Sequence, residues 1–555
     1  MTPLRRFASS PLRGDHASGP AKPVPQRVLA MALPALPLLF LLVVLVAPVL
    51  RLLAEGLAPA AADAEPLRWL DVWQDEFLRW RVLWSFAQAA ITCALALLLG
   101  LPCAWVLARR EFPGRALVLR LLMLPFVVPT LVAAMGVLAL WGPRGLIGGP
   151  LADAGFELSD TPWLLLYGNL FFNLCLVVRA GVDALEQVSA QRLAAARTLG
   201  ATPWRAFWRI EWPAIAPWLA SALCLVFLYC FAGFGLALVL GGQRYATAEV
   251  EIYTLVAHEL ELGRAGVLAV WMMALTGAVA LAYAWLERRL AAPARVTPVP
   301  RQRPVTAAQW LGVAGAMGML ALVCVAPLAA ILWRAVSALF VGQGAGVLTD
   351  PDTLAALGNT LRFSVLAVVF ATTLGLSHAF ALQASVTWRA LAFLPFVVSP
   401  VSVAFGLLLL YPDWSASLPV LVAAYALLAW PFVTKSVTAA LDGLPVHLTQ
   451  AAATLGATPW RVFRRVTLPM IAPALRRGMA FAAATALGEF AVTLFLSRPE
   501  WTTLTTLIHQ QLGRPGAAPL DAAFVLAALL MALALLAFLL IEGRSHRAAD
   551  NSRHA

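Results

Sequence analysis

Charged residues in this chain are gathered into short clusters separated by long apolar runs. A helix needs about 20 residues to cross a hydrocarbon core of roughly 30 Å, so runs of that length are the natural units. Stretches free of Asp, Glu, Lys and Arg cover 28–50, 82–108, 121–143, 161–178, 212–243, 265–286, 304–333, 363–388, 390–412, 414–434 and 522–541. A twelfth, 478–497, is broken only by Glu489. The pattern predicts an all-α polytopic membrane protein of about twelve transmembrane helices.

The connections alternate in charge. Arg5, Arg6, Arg13, Lys22 and Arg27 precede the first run, and later clusters hold Arg109, Arg110, Arg115 and Arg120, then Arg192, Arg197, Arg205 and Arg209, then Arg288, Arg289, Arg295, Arg301 and Arg303. The intervening connections carry acids instead: Asp63, Glu65, Asp71, Asp75 and Glu76; Asp153, Glu157 and Asp160; Glu249, Glu251, Glu259 and Glu261. Basic connections stay in the cytoplasm, so both termini are expected inside. The first run is too long for a signal peptide and has no small-residue cleavage site before Arg51, so a retained helix is expected.

Composition agrees with this reading and narrows the function. With 61% apolar and only 12% charged residues in 555, there is too little polar surface for a soluble enzyme. The net charge of +12, from 40 basic and 28 acidic residues, reads as topology rather than as a nucleic-acid footprint, because the arginines lie between apolar runs. No nucleic-acid partner is expected; the partner is the bilayer. The six cysteines lie inside apolar runs without metal-like spacing and read as small hydrophobes.

The chain repeats itself. Residues 194–217, AAARTLGATPWRAFWRIEWPAIAP, and 450–473, QAAATLGATPWRVFRRVTLPMIAP, agree at 16 of 24 positions without a gap. A second pair, Leu124-Pro-Phe-Val-Val-Pro-Thr and Leu394-Pro-Phe-Val-Val-Ser-Pro, extends the duplication. The offset is 256 for the first pair and 270 for the second, which places about 14 extra first-half residues in the connection 142–162. Six spans per half make this a parallel duplication. The expected organisation is an N-terminal arm at 1–27, a first half at 28–288, a Pro- and Arg-rich linker at 289–306, a second half at 307–541 and a cytoplasmic tail at 542–555.

The 24-residue repeat has its own local logic. Gly200 can end one helix in the left-handed region, after which Thr202 can cap a new one with Pro203 at its first position. Gly456, Thr458 and Pro459 repeat the arrangement. The second helix is expected to be short and cytoplasmic, with Trp204, Phe207 and Trp208 sharing a face beside Arg205 and Arg209, and with Trp460 and Phe463 beside Arg461, Arg464 and Arg465. Such a helix fits a protein-docking knob. It equally fits an amphipathic helix lying at the headgroups.

Residues 194–213 resemble the EAA loop of ABC importer permeases, at Ala194, Ala195, Ala196, Gly200, Ile210, Trp212 and Pro213, and the second copy matches at Gln450, Ala451, Ala452, Gly456, Val466, Leu468 and Pro469. Both copies lack the glutamate of that pattern. The resemblance implies a type I ABC importer-like permease fold in which each loop seats in an ATPase subunit. ATPase-coupling roles then fall on Ala195, Ala196, Gly200, Trp204, Arg205, Phe207, Ile210 and Pro213, and on Ala451, Ala452, Gly456, Trp460, Arg461, Phe463, Val466 and Pro469. Over nearly the whole chain the likeness is to fused thiamine importer permeases, carried by Asp71-Val-Trp-Gln-Asp75, Ser85-Phe-Ala-Gln-Ala, Arg110-Glu-Phe-Pro-Gly-Arg115, Phe172-Asn-Leu, Phe231-Ala-Gly-Phe-Gly and Leu240-Gly-Gly. Fused ferric-iron permeases share the length and the two loops, and Gly488-Glu489-Phe490 is similar to molybdate and sulfate permeases.

A nucleotide-binding loop needs Gly-Lys followed by Ser or Thr. The only lysines, Lys22 and Lys435, do not follow glycine. No cofactor is expected in this chain, and the resemblance implies two copies of a separate ABC ATPase that binds ATP and Mg, a periplasmic substrate-binding protein, and residence in the bacterial inner membrane. A gradient-driven transporter is disfavoured because Glu489 is the one carboxylate in mid-span; a membrane enzyme would need clustered His, Asp, Glu or Cys, which the runs lack. Glu489, Phe490, Phe231 and Phe234 could serve a cationic aromatic substrate along its path. The plainer alternative is a helix-to-helix hydrogen bond with ordinary packing, and interhelical bonds are likewise expected of Asn169, Asn173 and His378.

Overall fold

The computed structural model describes residues 35–57, 70–159, 161–289, 297–340, 344, 346–381, 394–415, 417–496 and 498–551. The N-terminal arm 1–27, the start of the first predicted span and linker residues 290–296 lie outside the described residues. Among those described, nine helices are long and apolar enough to cross a membrane, fewer than the twelve expected, or ten if the pair Arg115–Val127 and Thr130–Trp141, bent by 105° at Val128-Pro129, counts as one span. In their described parts the twelve apolar stretches are largely helical, but not all are single helices. The stretch 390–412 contains, in its described part, only the short helices Leu394–Val397 and Pro400–Leu410. The stretch 478–497 is divided between Leu468–Leu487 and Ala491–Leu496, and Glu489 sits in the break rather than in mid-helix. In the first half 212–243 divides in the same way, into Trp212–Phe231 and Gly235–Leu240.

Proline gives the helices a second regularity. Besides one at Leu255–Glu259 that precedes no proline, four widened π-turns occupy Leu42–Val46, Phe207–Glu211, Ala321–Val325 and Phe463–Thr467. Each ends two residues before a proline: Pro48, Pro213, Pro327 and Pro469. Proline has no N–H for the carbonyl four residues back, and its ring crowds that carbonyl. The extra residue in the turn relieves both problems without ending the helix. The expected short cytoplasmic helix is therefore corrected: Pro203–Phe231 runs as one 29-residue helix, and its tryptophans sit on the first turns of a span.

The two halves are interlocked by their first helices. Ala35–Gly56 lies against the second half, where the Tyr411 hydroxyl donates to the Val43 carbonyl at 3.0 Å and Phe40 meets the edge of Trp430. Ala307–Phe340, which opens the second half, lies against the first, and the Tyr167 hydroxyl donates to the Leu322 carbonyl at 2.6 Å. The crossings are pseudo-symmetric. A Cβ on Gly406 would stand 2.8 Å from the Pro48 carbonyl oxygen, and one on Gly136 would stand 3.0 Å from that of Pro327. Only glycine lets the helices approach this closely, as small residues do in membrane packing. Leu98, Leu281, Leu311 and Phe340 remain exposed on the outer surface, as side chains facing lipid should.

The described part of the linker is extended and anchored. Gln302 bridges Arg110, with Gln302 N–H donating to Arg109 O and Glu111 N–H to Gln302 O, both at 3.0 Å. Ala190 N–H donates to Thr297 O at 3.0 Å, and Arg301 pairs with Glu186 at 2.9 Å. The linker thus runs across one corner of the first half, beside its repeated segment.

Candidate functional site

Four helix breaks converge at the boundary between the halves: Val128-Pro129, Ala232–Phe234, Val398-Ser399 and Gly488–Phe490. The local reason differs by break. Pro129 and Pro400 each start a new helix, and Ser399 caps the second by accepting from Ser402 N–H at 3.0 Å. Glu489 caps the six-residue helix behind it, its Oε1 accepting from Val492 N–H at 3.0 Å. Glycine permits the close approach: a Cβ on Gly488 would stand 3.0 Å from Pro129 Cα, and one on Gly235 would stand 2.9 Å from Thr130 Oγ1.

The breaks line a cavity of about 300 Å³. The rings of Phe234 and Phe490, one from each half, stack across the boundary with centroids 5.9 Å apart and planes 26° apart. Phe126, Phe172, Tyr229 and Phe432 add aromatic wall, and Thr130, Asn169, Asn173, Ser399, Thr485 and Glu489 contribute polar groups to the lining. The amide of Asn169 donates to Gln88 Oε1 at 2.7 Å, and that of Asn173 to Asn169 O at 2.8 Å and Cys230 Sγ at 3.2 Å. The interhelical bonds expected of both asparagines are present. Beside the cavity the Ser399 hydroxyl donates to Glu249 Oε2 at 2.7 Å, a bond that crosses between the halves. Glu249 and Glu251, read from the sequence as acids of an outer connection, are both buried, and Glu251 pairs with Arg81 at 3.1 Å.

Of the four residues expected on a substrate path, Glu489, Phe490 and Phe234 line this cavity and Phe231 does not. Phe231 is fully buried, with its ring stacked on Phe227; it lies on the last turn of its helix, before the break that turns Phe234 inward. Phe126, Tyr229 and Ser399 were not singled out by sequence. The repeated Leu-Pro-Phe-Val-Val was the available signal, since its following proline marks the break.

The two repeated segments share one geometry. Helices Ala190–Thr198 and Val446–Thr454 each end on a glycine with positive φ, +78° at Gly200 and +79° at Gly456. The closing bonds match: Ala201 N–H to Ala196 O and Gly200 N–H to Arg197 O, then Ala457 N–H to Ala452 O and Gly456 N–H to Ala453 O. This double closure needs the left-handed residue at its centre. Thr202 and Thr458 then accept from Arg205 and Arg461 N–H at 3.4 Å, as capping residues ahead of proline. Trp204 and Trp460 stand out at 70% and 68% exposure, each stacked on the half-buried ring of Phe207 or Phe463. Ala195, Arg205, Pro213, Ala451, Arg461 and Pro469 are exposed, while Ala196, Ile210, Ala452 and Val466 are half-buried. The first copy alone has Glu211, buried and paired with Arg109 at 2.6 Å; the second has Thr467 there.

The family described as "Binding-protein-dependent transport system inner membrane component" matches residues 96–292 and 385–548, one match in each half. The thiamine transport system permease protein ThiP of Escherichia coli is 27% identical over 492 residues, covering 85% of this chain and 90% of that protein. ThiP of Haemophilus influenzae is 26% identical over 508 residues, with 85% and 90% covered. The sulfate transport system permease protein CysW of Synechocystis is 32% identical over 209 residues, 38% of this chain and 74% of that protein. Among solved structures, a bacterial ABC transporter involved in the import of the acidic polysaccharide alginate aligns with a TM-score of 0.40 at 17% identity, over 48% of this chain and 96% of that one.

Proposed function

The chain belongs to the family of binding-protein-dependent transport system inner membrane components, and from that premise we propose that it is the fused permease of an ATP-driven thiamine importer. The observation that carries the reading is the pair of matched segments at 190–213 and 446–469, each offering an exposed tryptophan, a closed glycine turn and flanking arginines. Two like segments suit two copies of one ATPase, which binds the ATP and Mg. Their rocking would be passed to the halves through the continuous helices that begin at Pro203 and Pro459. Both termini lie in the cytoplasm, and a periplasmic binding protein delivers the cargo from the other side.

Thiamine is favoured over ferric iron by the full-length likeness to permeases described as thiamine transporters. The likeness to a sulfate permease covers only 38% of this chain. The test is uptake into proteoliposomes holding the permease with its ATPase and binding protein, using labelled thiamine, ferric iron and sulfate. ATP-dependent thiamine uptake alone supports the reading; uptake of iron or sulfate without thiamine rejects it.

A further inference from the structure

The halves have kept their likeness where they meet the cytoplasm and lost it around the cavity. The repeated segments agree at 16 of 24 positions. The same register holds into the membrane: helix Trp212–Phe231 corresponds to Leu468–Leu487, Gly235–Leu240 to Ala491–Leu496, and Trp163–Glu186 ends 256 residues before Asp442. In that register the cavity positions pair Asn173 with Ala429, Tyr229 with Thr485 and Gly233 with Glu489, while Asn169 pairs with Tyr425, whose hydroxyl is engaged with Thr493. Polar groups on one side are answered by different chemistry on the other.

Physical necessity accounts for the contrast. Two identical ATPases would meet two identical surfaces, so the cytoplasmic segments are held alike. A small molecule with one charged end and one hydrogen-bonding end has no two-fold axis, and a symmetric cavity would offer it the same groups twice. The lining departs from symmetry in the way such a molecule requires. Among the described residues Glu489 is its only charged residue and comes from the second half, whereas Asn169 and Asn173 come from the first. One amide N–H of Asn169 and both of Asn173 are engaged, and no donor reaches either Oδ1 among the described residues. Each therefore offers the cavity an acceptor. One carboxylate, two amide oxygens and several aromatic faces attract a cation; among the described residues the lining contains no Lys, Arg or His to meet an anion. A volume of about 300 Å³ lies at the small end of sites for organic ligands, roughly 300–1,000 Å³.

We propose that this cavity is a binding site within the permease for a monovalent aromatic cation, oriented by Glu489 on one half and by Asn169 and Asn173 on the other. The proposal deepens the importer reading and rests on it. The decisive variant is Glu489→Gln, since its amide oxygen can still cap Val492 N–H while the charge is gone. Asn173→Leu removes an acceptor at similar volume. Labelled thiamine is the probe, with two measurements: saturable binding to the permease–ATPase complex without binding protein, and KM for uptake by the full importer in proteoliposomes. Co-purification of the ATPase checks assembly, and if Asn173→Leu does not assemble, Glu489→Gln alone decides.

The expected result is saturable binding by the unmodified complex, weakened about tenfold or more in each variant, with KM raised in the same order. Thiamine uptake by an unmodified importer whose permease–ATPase complex binds no thiamine, or an unchanged KM in Glu489→Gln, overturns the site and leaves the importer reading standing. No thiamine uptake by the unmodified importer overturns both.

Discussion

Replacing Gly200 and Gly456 together isolates what the repeated turn contributes. Both have φ near +80°, and a Cβ built on either meets no atom within 4 Å. The cost of a side chain is therefore a backbone cost and not a clash inside this chain. An L-residue in the left-handed region loses about 1–2 kcal/mol, and a β-branched one fits there worst. At 1.4 kcal/mol per tenfold, each Val lowers the population of the closed turn by roughly 5- to 30-fold or more, and the double variant compounds the two. Asn tolerates this conformation at a size close to that of Val. The expected order of coupling, read as thiamine moved per ATP hydrolysed in proteoliposomes, is Gly, then Asn, then Ala, then Val. Wild-type stoichiometry in the double Val variant would refute the role of the turn. Equal losses in Asn and Val would place the defect in contact size at the ATPase surface and refute the backbone argument.

Further expectations follow from buried contacts. Glu211→Leu leaves Arg109 buried without its carboxylate and should destabilise by about 3–5 kcal/mol, while the double replacement Arg109→Met with Glu211→Leu regains most of it; thermal melts of the detergent-solubilised protein compare them. Gly406→Val brings a side chain against the Pro48 backbone at 2.8 Å and should cost about 1–3 kcal/mol or more, whereas the same change at Gly358, with nothing within 4 Å, should be tolerated; a similar melting temperature for both would contradict the crossing. Phe490→Ala removes one ring of the stacked pair between the halves, so vesicles carrying it should leak small organic cations without ATP, and vesicles as tight as the unmodified ones would deny the pair a sealing role.

The spacing of charged residues located the apolar stretches, because a bilayer fixes the length of a helix that crosses it, but of the twelve spans expected the described residues hold nine such helices, or ten with the bent pair. The duplication, the cap at Thr202 and the left-handed Gly200 were equally legible, since each depends on residues within a few positions of one another. What escaped were features set by contacts between distant segments. Glu489 reads as mid-span and sits at a break; Phe231 reads as cavity wall and packs in the core; Glu249 reads as a loop acid and holds Ser399 of the other half. The short cytoplasmic helix became the start of a span because a π-turn absorbed Pro213, a remedy that the residue type permits but does not announce. The sequence by itself determined the apolar stretches, the two-fold design and the conformation of the repeated turns, all governed by local rules of solvent and backbone. Only the tertiary structure decided which helices cross between the halves and which polar groups face one cavity, because a side chain's facing depends on where its helix breaks and on what packs behind it.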